Sequence, residues 1–197
     1  MKNLLYFSLA VGIYWLFFLN TDHVSLGPGI LAPEVPKQEK IEYPESFLFE
    51  GHTITPLARY ELMAKVLSRE DYFLGRESDL SPTDLVLGWG EMSNEETLET
   101  ISIKQSNRWY RWYSDELPLP RRKLENSSAN VHIIPSDGVV ESALDRVRIG
   151  DIVTLSGSLV RVDSSDGWSW VSSLSRKDTG SGSCELIFVE DMSIENF

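Results

Sequence analysis

The sequence predicts an α+β protein: an N-terminal transmembrane helix, then one domain built on a small, partly open β-barrel of the OB or SH3-like type with a few short helices. Three observations carry this. An unbroken apolar and aromatic run fills Leu4 to Leu19, preceded only by Met1, Lys2 and Asn3. From Ile101 onward, period-two alternation and tight turn signals dominate, the signature of short strands. Brief helix-start signals punctuate the chain between them.

The apolar run with its uncharged flanks reaches the short end of the about 20 residues that cross a bilayer. A cleaved signal peptide needs small residues at its end, but here Phe17-Phe18-Leu19-Asn20-Thr21 follows. Residues 1–21 are therefore expected to be an uncleaved signal anchor, with secretion after cleavage as the alternative. Lys2 precedes the run and Asp22 is the first charge after it, so the N-terminus is expected in the cytoplasm and the body outside. In a bacterium that places a single-pass protein in the inner membrane with its domain in the periplasm.

Residues 22–46 contain Pro28, Pro33, Pro36 and Pro44 and read as a Pro-rich tether. Residues 47–197 then form a single extracytoplasmic α+β domain, with its β-rich half at 151–190. Phe47, Phe49 and Gly51–Ile54 begin it. Thr55-Pro56 has helix-start chemistry, and Leu57, Tyr60, Ala64 and Leu67 follow at helical spacing, so a helix is expected there. Ser81-Pro82-Thr83-Asp84 repeats that chemistry before a short helical turn, and Ser93-Asn94-Glu95-Glu96 is a capping box.

Ile101–Lys104 and Arg108–Tyr113 alternate and read as one long or two paired strands, and Val131–Ile134 as another. Ser136 is expected to cap an amphipathic helix carrying Val140, Ala143, Leu144 and Val147 on one face, stopped by Gly150. Asp151–Leu155 and Ser158–Val162 form a hairpin or one bent strand. Trp168–Leu174 and Cys184–Glu190 complete the strand-rich end.

Composition narrows the function. A formal charge of −12 disfavours nucleic acid as a partner, since phosphate binding needs a basic face. A single cysteine, Cys184, excludes an internal disulfide. His23, His52 and His132 lack metal-ligand spacing, and no phosphate loop is present, so neither a metal nor a cofactor is expected.

Three stretches resemble an uncharacterised family of bacterial single-pass membrane-anchored proteins. They are Leu80-Ser-Pro-Thr-Asp-Leu-Val-Leu-Gly-Trp-Gly-Glu-Met-Ser93, Ser128-Ala-Asn-Val-His-Ile-Ile-Pro135 and Trp170 through Leu186. The similarity covers roughly Arg59 to Glu190. It implies the anchored topology and the single domain; it supplies no activity and no site residue.

Catalytic readings rest on few residues. Asp178-Thr179-Gly180-Ser181 spells the tetrad of aspartic peptidases, but the chain has no second copy to share the proton. Cys184, His132 and Asp178 have the residue types of nucleophile, base and orienter, which makes an envelope hydrolase or transferase the alternative function, with a serine as a weaker substitute for Cys184. The plainer reading makes Cys184 a small buried hydrophobe and His132 a satisfied strand residue.

The most suggestive binding feature is Arg108-Trp109-Tyr110-Arg111-Trp112-Tyr113. Alternation sends Trp109, Arg111 and Tyr113 to one face and Tyr110 and Trp112 to the other. One row is core; the other, with Arg111, is suited to stacking on a sugar ring or holding a peptide. Trp168 and Trp170 share a face of a later strand and are expected to extend that surface. The first expectation for function is thus a membrane-tethered, non-enzymatic binding or accessory module of the cell envelope, with an envelope protein or glycan as partner.

Overall fold

The computed structural model describes residues 23–175 and 184–197. The fold is mixed α+β, mostly strands with a few short helices. The expected anchor at residues 1–21 lies outside the described residues; among those described, no helix is long and apolar enough to cross a membrane.

Strand β1 (Lys37–Lys40) and strand β2 (Phe47–Phe49) both pair antiparallel with β3 (His52–Asp71). Residues 24–40, whose prolines suggest a tether, are laid onto the body. Ala32 is fully buried, Val24 N donates to Ile149 O at 2.8 Å, and Gly90 N donates to Ala32 O at 2.7 Å.

β3 replaces the helix expected from Thr55-Pro56. Leu57, Tyr60, Ala64 and Leu67 fit a 3.6-residue period, but Ala58, Tyr60, Leu62, Ala64 and Val66 fit a period of two; all five are buried and alternate with the exposed Arg59, Glu61 and Met63, while Leu57 is only half-buried. Pairing on both edges of the strand settles the competition, because it offers backbone partners that an isolated helix lacks. Register shifts at Pro56/Ala58 and Val66/Ser68 bend this 20-residue strand, and the first absorbs the proline, which has no N–H for the ladder.

Helix α1 (Arg76–Leu80) leads into β4 (Thr83–Gly88). β4 too overturns a helical expectation: all six of its residues are buried, as a fully enclosed strand requires. A 3-10 turn (Gly90–Ser93) and α2 (Glu95–Leu98) follow. Asn94 caps α2 by accepting a hydrogen bond from Glu96 N at 3.2 Å, the place where the capping box lies. Next come β5 (Ser102–Ser106), β6 (Trp109–Tyr113), α3 (Arg121–Glu125) and β7 (Ser128–Pro135).

Helix α4 (Gly138–Asp145) is capped by Asp137 rather than by Ser136, with Asp137 Oδ1 accepting from Val139 N at 2.8 Å and Val140 N at 3.0 Å. At its other end the Arg69 guanidinium donates to the Leu144 and Val147 carbonyls at 2.6 and 3.0 Å, satisfying groups a helix end leaves open. β8 (Ile152–Asp163) is one continuous strand, not a hairpin; β9 (Ser169–Val171) and β10 (Glu185–Ile194) complete the fold.

β3 pairs with β4 along its C-terminal part and with β8 along the rest. β4 pairs with β7, β7 with β10, and β10 with β8, so the pairings return to β3. Every pair in this circuit is antiparallel except β7–β10, which is parallel. The principal core holds Tyr60, Leu62, Leu85, Leu87, Val131, Ile133, Leu155, Leu159 and Ile187, joined by Val140, Ala143 and Leu144 of α4. Each such side chain contributes about 1.5–3 kcal/mol of burial. The opposite faces of these strands carry Asp84, Val86, Asn130, His132 and Ile134, and the rest of the chain builds against them.

Candidate functional site

β5 and β6 form a separate two-stranded hairpin inserted between β4 and β7. Its turn is the two-residue Asn107-Arg108, with φ of 52° and 66°, the left-handed geometry that matches strand twist in a tight hairpin. Ser102 faces Tyr113, Lys104 faces Arg111 and Ser106 faces Trp109 across the ladder.

Alternation divides the hairpin cleanly. Ile103, Gln105, Tyr110 and Trp112 turn toward the body, where the apolar members pack on Leu67, Val86, Met92 and Leu124. Gln105 Nε2 donates to Asn130 Oδ1 at 2.8 Å, and the Tyr110 hydroxyl lies 3.2 Å from Ser128 Oγ. Burial pushes the Tyr110 hydroxyl's pKa up, against the opposing hydrogen bond from Ser128. Lys104, Trp109, Arg111 and Tyr113 face outward.

That outward face is concave. A cavity of about 560 Å³ is lined by Ser102, Lys104, Ser106, Trp109, Arg111 and Tyr113, with Asn107 and the edge of Trp112 completing it. The volume lies within the range of small-ligand sites. Trp109 is 39 % exposed and Tyr113 66 %, large apolar area for one small patch. Behind the edge of Trp112 the Arg121 guanidinium sits 5.0 Å from its ring.

Arg108 locks the hairpin tip to the body. Its Nη1 donates to Asp84 Oδ1 at 2.7 Å and to Ser81 O at 2.9 Å, and its guanidinium lies 3.9 Å above the Tyr72 ring. Its backbone N donates to the Tyr72 hydroxyl at 2.8 Å, and its carbonyl accepts from Asn130 Nδ2 at 3.0 Å. Burial, opposed by the Arg108 contact and reinforced by Asp84 and Glu70, pushes the Tyr72 hydroxyl up to about 12.

Of the expected catalytic residues, His132 and Cys184 lie within the described residues, each with its own neighbours. His132 is buried, with Nδ1 2.9 Å from Asp84 Oδ1 and its ring 4.9 Å from that of Trp170. Its proximity to Asp84 is an ion-pair distance without hydrogen-bond alignment. Cys184 lies beside Asn130 and Arg108 instead, its Sγ 3.8 Å from Asn130 Nδ2 and 3.7 Å from Arg108 O. Asp178 lies outside the described residues.

Of the aromatic candidates, Trp109, Arg111 and Trp112 share the hairpin cavity. Trp168 and Trp170 do not extend it. They pack against the second apolar cluster with Ile54, Val160, Val162 and Leu186, Trp168 beside His52 and under Arg76. Lys104 is the residue that sequence reasoning missed. Its signal is register: two residues separate it from the Asn107-Arg108 turn, and two separate Arg111 from the other side, so the two face each other. Among the described residues no group of His, Cys, Asp and Glu is placed to hold a metal ion.

Comparison with protein-family models, with curated proteins and with solved structures finds no match to this chain.

Proposed function

We propose that this chain is a non-enzymatic, membrane-tethered module of the bacterial envelope that binds an envelope component on the outer face of the β5–β6 hairpin. The observation that carries the reading is the sorting of the hairpin: one face is committed to the body, and the other presents Trp109, Arg111, Tyr113 and Lys104 around a cavity. A hairpin needed only as cover does not require three large exposed side chains on its outer row, since exposed aromatic area carries no stability of its own.

The scaffold is read as an OB-type barrel rather than an SH3-like one. The strand circuit β3-β4-β7-β10-β8, the parallel β7–β10 pair and the helix between β7 and β8 support this. In that fold the outer face of the second and third strands commonly carries the ligand. Here that face holds Asp84, Asn130 and His132, all buried beneath Arg108, Trp170 and the inner row of the hairpin. Binding is thereby displaced outward onto the hairpin. The hydrolase reading gains nothing from this arrangement, because the His132 imidazole lies under Trp170.

The apolar run at residues 4–19 supports an anchor in the inner membrane with the body in the periplasm. The test is site-specific photo-crosslinking in intact cells. A photoreactive residue in place of Trp109 should form an adduct with an envelope component, and one in place of Val139, exposed on α4, should not. Equal yields at both positions, or none at Trp109, sink the reading.

A further inference from the structure

Lys104 and Arg111 stand directly opposite each other on the exposed face of the hairpin, inside the cavity. Like charges placed opposite one another across a ladder are unfavourable. Many cations of this chain hold a carboxylate, among them Lys65, Arg69, Arg76, Arg108, Lys123, Arg148 and Arg161, whereas Lys40, Arg59, Arg122 and Arg146 stand singly on the surface without one among the described residues. Neither Lys104 nor Arg111 has a carboxylate within ion-pair distance among the described residues, although the chain carries 30 acidic side chains against 18 basic ones. A net charge of −12 with two facing, unneutralised cations in one concave aromatic patch marks that patch as complementary to an anion. Asp115, close to Arg111 in sequence, accepts a hydrogen bond from the Tyr113 hydroxyl.

Trp109 and Tyr113 bracket the cations along β6. They lie four residues apart on one face, about 13 Å by the rise of a strand, with Arg111 midway. Two flat aromatic platforms separated by a pair of cations suit a chain of pyranose rings carrying carboxylates: the rings stack and the carboxylates meet Lys104 and Arg111. A globular acidic protein surface would meet a flat contact, whereas this patch is a recess with aromatic rims.

We propose that the outer face of the β5–β6 hairpin is a binding site for a carboxylate-bearing oligosaccharide, with Trp109 and Tyr113 as stacking platforms and Lys104 and Arg111 as the anion-reading pair. This rests on the binding-module reading above and specifies its ligand class.

The test is titration of the full chain, in detergent micelles, with a galacturonic acid trimer, the neutral trimer maltotriose and short poly-glutamate, followed by calorimetry and tryptophan fluorescence. The expected result is binding of the acidic trimer about tenfold or more tighter than maltotriose or poly-glutamate, weakened by salt. Lys104→Gln and Arg111→Gln together should cost roughly tenfold or more in affinity for the acidic trimer and leave maltotriose unaffected. Trp109→Ala should weaken both saccharides, with circular dichroism unchanged. Equal binding of acidic and neutral trimers, stronger binding of poly-glutamate, or no binding of the galacturonate overturns the proposal. A crosslink at Trp109 to a protein in cells then leaves the module reading standing, and absence of any crosslink removes both.

Discussion

Lys65 Nζ, itself buried, lies 2.9 Å from Oε1 of the half-buried Glu95, although the two residues belong to a strand and a short helix 30 positions apart. The ammonium also donates to Gly150 O at 3.1 Å, and Glu95 accepts from Leu26 N and Ser25 Oγ. One ion pair therefore joins β3, α2, the α4–β8 connection and the N-terminal segment.

Burial works against the charged form of Glu95, but hydrogen bonds from Lys65, Ser25 and Leu26 outweigh it and bring its pKa down to about 2. A carboxylate whose pKa falls on folding adds stability above its unfolded value and loses it as pH drops toward the folded one. Glu95 is thus expected to stabilise the fold fully above about pH 4.5, with that share draining between there and pH 2. Glu95→Gln should lower stability at neutral pH by roughly 2–4 kcal/mol by leaving Lys65 uncompensated, and should flatten the acid limb. Urea denaturation across pH 2–7 reads both; an acid limb identical to that of the parent chain contradicts the assignment.

Gly150 is pressed against the N-terminal segment. It holds φ of 97°, and a Cβ there would stand 1.8 Å from Val24 O. Gly150→Ala is expected to force residues 24–26 off the body. Limited proteolysis should then cut near Ser25 at least about tenfold faster, while the β3–β8 amides keep their slow hydrogen exchange. Loss of both together would show that the segment and the main sheet unfold as one unit.

Arg108 sits at a left-handed φ of 66° and bonds both the Asp84 carboxylate and the Ser81 carbonyl. Arg108→Ala leaves the fully buried Asp84 without its strongest partner, at a cost of about 3 kcal/mol. The hairpin should also loosen, and Tyr72 should titrate higher still while it stays buried, because the Arg108 charge and backbone donor are what oppose the upward push of burial, Asp84 and Glu70. Ultraviolet titration of the tyrosines and thermal unfolding check the two effects separately.

Cys184 is half-buried against Arg108 O and Asn130. Its thiol is expected to react with Ellman's reagent much more slowly in the native chain than in urea, as for a sulfur packed against Arg108 O and Asn130. Rapid native labelling at neutral pH would restore a nucleophilic role.

The hairpin, β7, β10 and the capped helix α4 were legible because each carries one unambiguous period. Arg108–Tyr113 alternates without competition, and the outward row of Trp109, Arg111 and Tyr113 follows from it directly. β3 was not legible because Leu57, Tyr60, Ala64 and Leu67 satisfy a helical stripe while Tyr60, Leu62 and Ala64 satisfy a strand, and Thr55-Pro56 supplies a helix start. Long-range pairing with β8 decides that case, and no local signal contains it. Asp84 was hidden in the same way: as part of Ser81-Pro82-Thr83-Asp84 it resembles a cap, and only the hairpin tip brings Arg108 onto it and the β4–β7 pairing His132. Trp168 and Trp170 share a face as alternation requires, but which neighbour that face meets is set by topology.

The chain is pinned to the body from Val24 onward, so residues 24–32 add no free length of their own. Were the proposed anchor to lie in a bilayer, that stretch of chain would stay with the body rather than pay out between it and the lipid. The reach of the hairpin would then be shorter by the length of chain that the fold takes up for itself.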